Sequence, residues 1–169
     1  GCLADLRDEG KISEIGCTHF TAAELAASHD AAVEHGLAPY PSVQNHYSLL
    51  HRDDDTEVLP LCRRHGIGYV PYFPLASGLL TGKYRRGEPA PAGSRLAGRD
   101  VDASDLEAVE ALERVGAERG RGILELAVGG LASIPGVASV IAGATSPAQV
   151  RANAAAGAWH APDDVLDAI

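Results

Sequence analysis

A chain of 169 residues, 46% of them hydrophobic, has the material for one domain with a sizeable core, which excludes a disordered segment. The net charge of -9 disfavours nucleic acid and anionic membranes as partners, because both ask for a basic surface. Apolar stretches such as 123–131 are broken by Glu125, Gly129 and Gly130 and fall short of the roughly 20 residues a membrane span needs.

In chain order, Gly1 to Leu6 has the composition of a helix interior, and with no methionine in the chain the sequence is expected to be truncated. No basic and apolar leader is expected either, and Cys2, Cys17 and Cys62, outside any C-x-x-C pattern, fit a reducing cytoplasm better than a disulfide framework or a zinc site. Lys11 to Gly16 reads as a first strand. Thr21 with Glu24 forms a capping box that opens a helix through Leu25, Ala32 and Val33, closed by Gly36. Ser42 to Asn45 reads as the second strand, and Asp54 with Glu57 caps a helix through Val58, Leu61 and Cys62 that ends at Gly66. Gly68 to Tyr72 is the third strand. Tyr84 to Ala103 carries Gly and Pro repeatedly without periodicity, so a long loop is expected there, a functional cover or a linker. Ser104 with Glu107 starts the next helix, and a further helix over Ile123 to Leu131 is weakened by Gly129 and Gly130. Ser139 to Gly143 is the fourth strand. Ser146, Pro147 and Gln149 supply an N-cap, a first-turn proline and a capping-box partner for the last long helix.

Strands alternating with helices predict a parallel sheet with helical crossovers. A doubly wound sheet would show a Gly-rich phosphate turn after its first strand, whereas Gly16 is followed by Cys17, Thr18, His19 and Phe20. Polar residues gather instead at the strand C-termini: Thr18 and His19, Gln44 and Asn45, Tyr72, Thr145 and Ser146. That is where a (βα)₈ barrel places its chemistry. Whole barrels take roughly 200 or more residues, so the expected fold class is α/β, the C-terminal half of a TIM barrel with about four βα units, over 1–169.

Ser77 to Tyr84 looks like a phosphate loop, but the interval between Gly78 and Gly82 is one residue short and Tyr84 stands where a Mg²⁺-binding hydroxyl is needed. Seven histidines raise a metal site, yet His46 and His51 have no third ligand at a suitable spacing. No G-x-S-x-G elbow supports nucleophilic hydrolysis. The strongest physical signal is Gly143-Ala-Thr-Ser-Pro147, a strand running into a capped helix, where free N–H donors and the dipole suit phosphate and Gly143 admits close approach. Gln149 and Asn153 share a helix face and could read a ribose, a 2′-phosphate or an adenine edge.

Ile15-Gly16 followed by Phe20, Ser42-Val-Gln-Asn45 with Tyr47-Ser-Leu-Leu50, Pro71-Tyr-Phe-Pro-Leu75 running into Gly78-Leu-Leu-Thr-Gly-Lys-Tyr84, and Val140-Ile141 into Gly143-Ala-Thr145 together resemble the aldo-keto reductase family, in the bacterial branch similar to potassium-channel β subunits. The resemblance covers essentially the whole chain. It implies NADP(H) as cofactor. Thr18 and His19 stand where the family has Ser and Asn, which with Gln44 hold the nicotinamide carboxamide; His19 departs from that pattern, since an imidazole cannot present both amide functions. Tyr72 matches the aromatic that stacks on the nicotinamide. Phe73, Pro74, Leu75, Ser77 and Gly78 match the stretch along the pyrophosphate, and Lys83 and Arg95 match phosphate-contacting cations. Gly143, Thr145, Gln149 and Asn153 match the adenosine-phosphate site. The family's Tyr, Lys, Asp and His catalytic set is placed by the resemblance before Gly1. The expectation is therefore a cofactor-binding part of a carbonyl reductase that is inactive alone, with no catalytic residue of its own. The alternative is a non-enzymatic nucleotide-binding half-barrel, or one that pairs with itself through exposed edges.

Overall fold

The computed structural model describes residues 2–169 and shows an α/β fold with eight helices and a parallel sheet among those residues. Helix α1 (Cys2–Asp8) buries none of its side chains. The sheet has strand order β1-β2-β3, built from Cys17–Thr18, Ser42–His46 and Gly68–Tyr72, all parallel. Helices α2 (Ala22–Glu34) and α3 (Val58–His65) return the chain between them. Strand order follows chain order, without the reversal that creates the ligand crevice of a doubly wound sheet.

Two strands differ from expectation, and proline explains the second. Lys11 to Gly16 is not a strand: β1 begins at Cys17, paired with Val43. The fourth strand is reduced to two isolated parallel bridges, Tyr69 with Val137 and Tyr72 with Ile141. Between them Pro71 offers no donor, and Ile141 N–H bonds to the Pro71 carbonyl at 2.9 Å. An unbroken ladder continuing from the Tyr69 bridge would use Val140 there; the chain slips by one residue at the missing bond.

Two of the expected caps differ in the structure. Thr21 and Glu24 do form the capping box at the start of α2. Asp54, by contrast, does not cap α3: it accepts hydrogen bonds from Asn45 Nδ2 at 2.7 Å and from Tyr69 Oη at 2.7 Å, drawn inward by the polar edge of the core. Helix α4 (Ala103–Ala117) starts at Asp102, whose carboxylate accepts from the Ser104 amide, two residues before the expected Ser104 box. At α7 (Pro147–Gly157) Ser146 is the N-cap, but Gln149 reaches past it to the Thr145 amide.

Period-two alternation turns Val43 and Asn45 of β2, and Tyr69 and Pro71 of β3, toward the helices, where all four are buried. Gln44, His46, Val70 and Tyr72 occupy the opposite face. The core joins Leu25, Val43, Tyr47, Leu59, Tyr69, Leu80, Leu126 and Leu131. Residues 123–133 form one helical run in which α5 (Ile123–Glu125) and α6 (Leu131–Ser133) flank a π-helical turn, Leu126–Gly130, all of it buried. The glycines expected to weaken this helix are what allow it to pack: a Cβ on Gly129 would lie 2.5 Å from the Ala156 carbonyl of α7. Helix α8 (Asp163–Leu166) closes the chain, burying Val165.

The segment between β3 and α4 begins with a kinked turn, Ala76–Thr81, whose Ser77, Gly78 and Leu80 are non-helical, and has no further helix or strand up to Asp102. It is anchored at its start. Tyr84 is buried, Arg85 pairs with Glu113 at 2.8 Å, and Arg86 pairs with Glu107 at 3.0 Å.

Three carboxylates are held below their ordinary range by hydrogen bonds: Glu24 by the Thr21 amide and then its hydroxyl, Asp102 by the Ser104 amide and hydroxyl, Glu125 by the Gly122 amide and then Arg121. Each binds a proton less readily folded than unfolded, so its contribution is present above the unfolded value and lost as pH falls through the folded one. Urea midpoints measured across an acid series should hold steady down to about pH 5 and fall below about pH 4. A Glu24→Gln variant should show a smaller fall.

Candidate functional site

Every non-glycine residue with a positive φ in the described chain lies just past a strand end: His19 (59°) after β1, and Phe73 (64°), Ala76 (44°) and Ser77 (59°) after β3. Such conformations cost energy and persist where surrounding structure enforces them, commonly at ligand sites. Thr18 Oγ1 donates to the Gln44 carbonyl at 2.6 Å and lies 3.0 Å from His19 Nδ1. His19 Nε2 in turn lies 2.8 Å from Tyr72 Oη. The three strands are thus cross-linked at their C-terminal ends. The Gln44 side chain is exposed beside this link, with no hydrogen-bond partner among the described residues.

His46 stacks on Tyr72 (ring centroids 5.5 Å apart, planes 25° apart) and on His51 (4.0 Å, 14°), and meets Phe73 edge-on. Burial holds His46 below the ordinary histidine value, with a smaller push from the neighbouring His51. The two imidazoles are stacked face to face, and no group of three or more metal-ligating side chains occurs among the described residues.

Beyond β3, buried Pro74 fixes the start of the turn through Leu75, Ala76 and Ser77. Gly78, at φ 92°, has the Lys83 Cε and Nζ atoms 2.9 Å from where a Cβ would stand, so the lysine runs against bare backbone. Lys83 Nζ sits 5.2 Å from the Tyr84 ring centroid, and Tyr84 Oη donates to the Ser77 carbonyl at 3.4 Å. The result is an ammonium group beside a strained turn. Arg95 is exposed farther along the loop, outside this cluster and without an ion pair among the described residues.

The Tyr72–Ile141 bridge sets Gly143 two residues beyond the strand end next to Phe73. Gly143 is exposed with open space around its α-carbon. Gln149 Oε1 accepts from the Thr145 amide at 2.6 Å and its hydroxyl at 3.0 Å, and Asn153 Nδ2 donates to the Gly143 carbonyl at 3.4 Å. These bonds fold residues 143–146 onto the N-terminus of α7. The Gly143 and Ala144 amides have no backbone acceptor among the described residues.

The model of the aldo/keto reductase family matches residues 1–169. The chain belongs to the aldo/keto reductase family. Its relatives include a probable voltage-gated potassium channel subunit beta of Arabidopsis thaliana, 36% identical over 86% of this chain and 47% of that protein. The NADH-specific methylglyoxal reductase of Escherichia coli is 35% identical over 91% of this chain and 46% of that protein. A putative aryl-alcohol dehydrogenase of Schizosaccharomyces pombe is 35% identical over 47% of the chain and 22% of that protein. The chain spans about half the length of the potassium-channel and methylglyoxal relatives.

Set against the residues expected from sequence, this aldo/keto reductase chain brings Thr18, His19, Gln44, Tyr72, Phe73, Ser77 and Gly143 to one rim of strand ends. His19, the departure from the family pattern, has both ring nitrogens engaged within the protein. Its role at Tyr72 was not readable from spacing, because the two residues lie 53 positions apart. His46, His51 and Ser48 were also missed as neighbours of Tyr72 and Phe73; the period-two position of His46, two after Gln44, was the available signal. Tyr47 and Tyr69 donate to Asp55 and Asp54, and burial raises both phenols far above the ordinary tyrosine value. Neither is a ready acid. No helix of the described chain is long and apolar enough to cross a membrane.

Proposed function

We propose that this chain is the cofactor-binding part of an NADP(H)-dependent aldo/keto reductase that reduces an aldehyde or ketone, the C-terminal half of a (βα)₈ barrel. The observation that carries this reading is the rim itself: past the strand ends, positive-φ backbone at His19, Phe73, Ala76 and Ser77 flanks an aromatic shelf and a lysine, and the α7 N-terminus follows in strand order. When bound, the nicotinamide supplies hydride to the carbonyl carbon. The chain's own part is to position it. Tyr72 offers a ring face, steadied on its other flank by His46 and at its hydroxyl by His19. Gln44 offers a free carboxamide for the nicotinamide amide group. Ser77, Gly78 and Lys83 line the path of the pyrophosphate, with Leu75 and Pro74 fixing the turn. The open Gly143 backbone and the α7 N-terminus receive the adenosine phosphate, where Gln149 Nε2 remains as a donor. These donors fit a dinucleotide.

Tyr47 and Tyr69, buried and with raised phenols, are poor proton donors, and we expect the chain alone to bind cofactor without turnover. The free thiols of Cys2, Cys17 and Cys62 accord with a cytoplasmic setting. The NADH-specific relative makes the 2′-phosphate the sharp question. Thermal unfolding of the whole chain with NADPH or NADH tests the reading: we expect both to raise the midpoint and NADPH to raise it more at equal concentration. Equal shifts would remove the NADP preference, and no shift with either would remove the cofactor reading.

A second reading, a half-barrel that pairs with another copy of itself, is favoured by the sheet face carrying exposed Gln44 and half-buried Val70, which no helix of the described chain covers. Sedimentation at several concentrations distinguishes the two: a concentration-independent monomer argues against pairing.

A further inference from the structure

Beside the aromatic shelf lies a cleft that shares His46, Phe73, Ala76 and Ser77 with the proposed cofactor rim and extends away from it. This cleft, of about 450 Å³, opens between the loop after β2, the turn after β3 and the end of the long segment entering α4. That volume is within the range of small-molecule pockets. One wall is aromatic: Phe73, 37% exposed and held outward by its positive φ, stands beside His46 and His51. Asp100, Asp102 and Asp105 also line the cleft, and Asp102 is committed to capping α4. Ser48 lies at the base, 1% exposed; its hydroxyl accepts from the Leu50 amide at 3.2 Å and donates to nothing among the described residues. None of Thr18, Gln44, Lys83, Gly143, Gln149 or Asn153 lines the cleft.

An exposed aromatic ring and carboxylates lining one cleft can recognise an organic ammonium ion: the ring quadrupole and the carboxylates both attract the cation, while apolar surface receives its body. No arginine or lysine lines this cleft, while Asp100 also borders a neighbouring cleft lined by Arg85 and Arg99. No ion pair among the described residues holds Asp100 or Asp105. We propose that this cleft binds a small amine in its protonated form, with the ammonium between Phe73 and the Asp100 and Asp105 carboxylates and its apolar portion against Leu50, Leu79 and Val101. Because Phe73 and Ser77 border both this cleft and the proposed cofactor path, occupancy here should be felt there. The site does not depend on the cofactor.

Calorimetric titration of the whole chain with benzylammonium chloride tests this, with benzyl alcohol as the neutral counterpart of the same shape. The expected result is saturable benzylammonium binding, undetectable or much weaker binding of benzyl alcohol, and about tenfold weaker benzylammonium binding to the double variant D100N/D105N. Neither substitution touches the Asp102 cap, and an unchanged circular dichroism spectrum and melting midpoint establish that the variant is folded. If it is not, Phe73→Leu, which keeps the apolar bulk and removes the ring, should weaken benzylammonium binding on its own. The proposal is overturned if wild-type chain binds no benzylammonium at tens of millimolar, if it binds benzyl alcohol equally well, or if the folded variants bind benzylammonium as tightly as wild type.

Discussion

Replacing Gly129 with alanine should destabilise the chain by about 3 kcal/mol, the upper end of what overpacking a well-filled core costs. In an exposed helix the same change would help, because alanine is the better helix former. Here the added methyl would stand 2.5 Å from the Ala156 carbonyl and 2.7 Å from the Trp159 carbonyl. Both obstacles are backbone at the C-terminal end of α7, and neither can rotate away as a side chain does. Relief requires α7 to move off the π turn, and α7 has little else to hold it, since Ala156 is its sole buried residue in the described structure. The loss should therefore spread to the strand-end rim. Urea denaturation gives the stability directly, and Gly157→Ala is the matched control. At Gly157 a Cβ meets nothing nearer than Val128 Cγ1 at 3.5 Å, so that variant should match or slightly exceed wild type. Equal effects of the two substitutions would show that helix propensity, and not contact with α7, governs this segment.

Gly129 also marks the limit of what the sequence discloses. From the chain alone it reads as a weak point in a helix; the compensating contact lies 27 and 30 residues away, at Ala156 and Trp159. Strand and helix order were legible because apolar runs and capping residues are local signals, and Gly66, left-handed at the end of α3, fell where expected. Asp54 was misread for the opposite reason. Its spacing to Glu57 satisfies a capping box, yet a buried Asn45 amide and a Tyr69 hydroxyl offered stronger partners, and a buried donor left alone costs more than an open helix end at the surface. The fourth strand was visible as an apolar run, but Pro71, on the neighbouring strand, removed the donor that would have completed it. At the candidate site the order Thr18, Gln44, Tyr72, Gly143 followed from placing each at a strand C-terminus. The link from His19 to Tyr72 did not, because neighbouring strands bring side chains together by register and not by spacing.

Tyr72→Ala should weaken NADPH binding by between about 5-fold and 150-fold, the range spanned when a stacking aromatic is removed from beneath a nucleotide base. Tyr72→Phe separates the two things this residue does. It keeps the ring and removes only the hydroxyl that meets His19 Nε2 at 2.8 Å. If the ring is the shelf, Phe should cost less than about tenfold, the worth of one net hydrogen bond. If the hydroxyl matters chiefly by fixing the ring, His19→Ala should reproduce the Phe result, and the double change should cost no more than either alone. His46 supplies the remaining support. Its stacking on Tyr72 means that His46→Ala should loosen the ring and weaken NADPH modestly, while leaving the adenosine end at Gly143 to Asn153 untouched. That last point gives the series its internal standard: binding of 2′-phosphoadenosine, which has no nicotinamide, should be unchanged in every Tyr72, His19 and His46 variant. Fluorescence titration of each folded variant with both ligands decides it. Loss of 2′-phosphoadenosine binding in Tyr72→Ala would mean that the residue holds the rim together structurally, whereas undiminished NADPH binding would mean that the nicotinamide lies elsewhere.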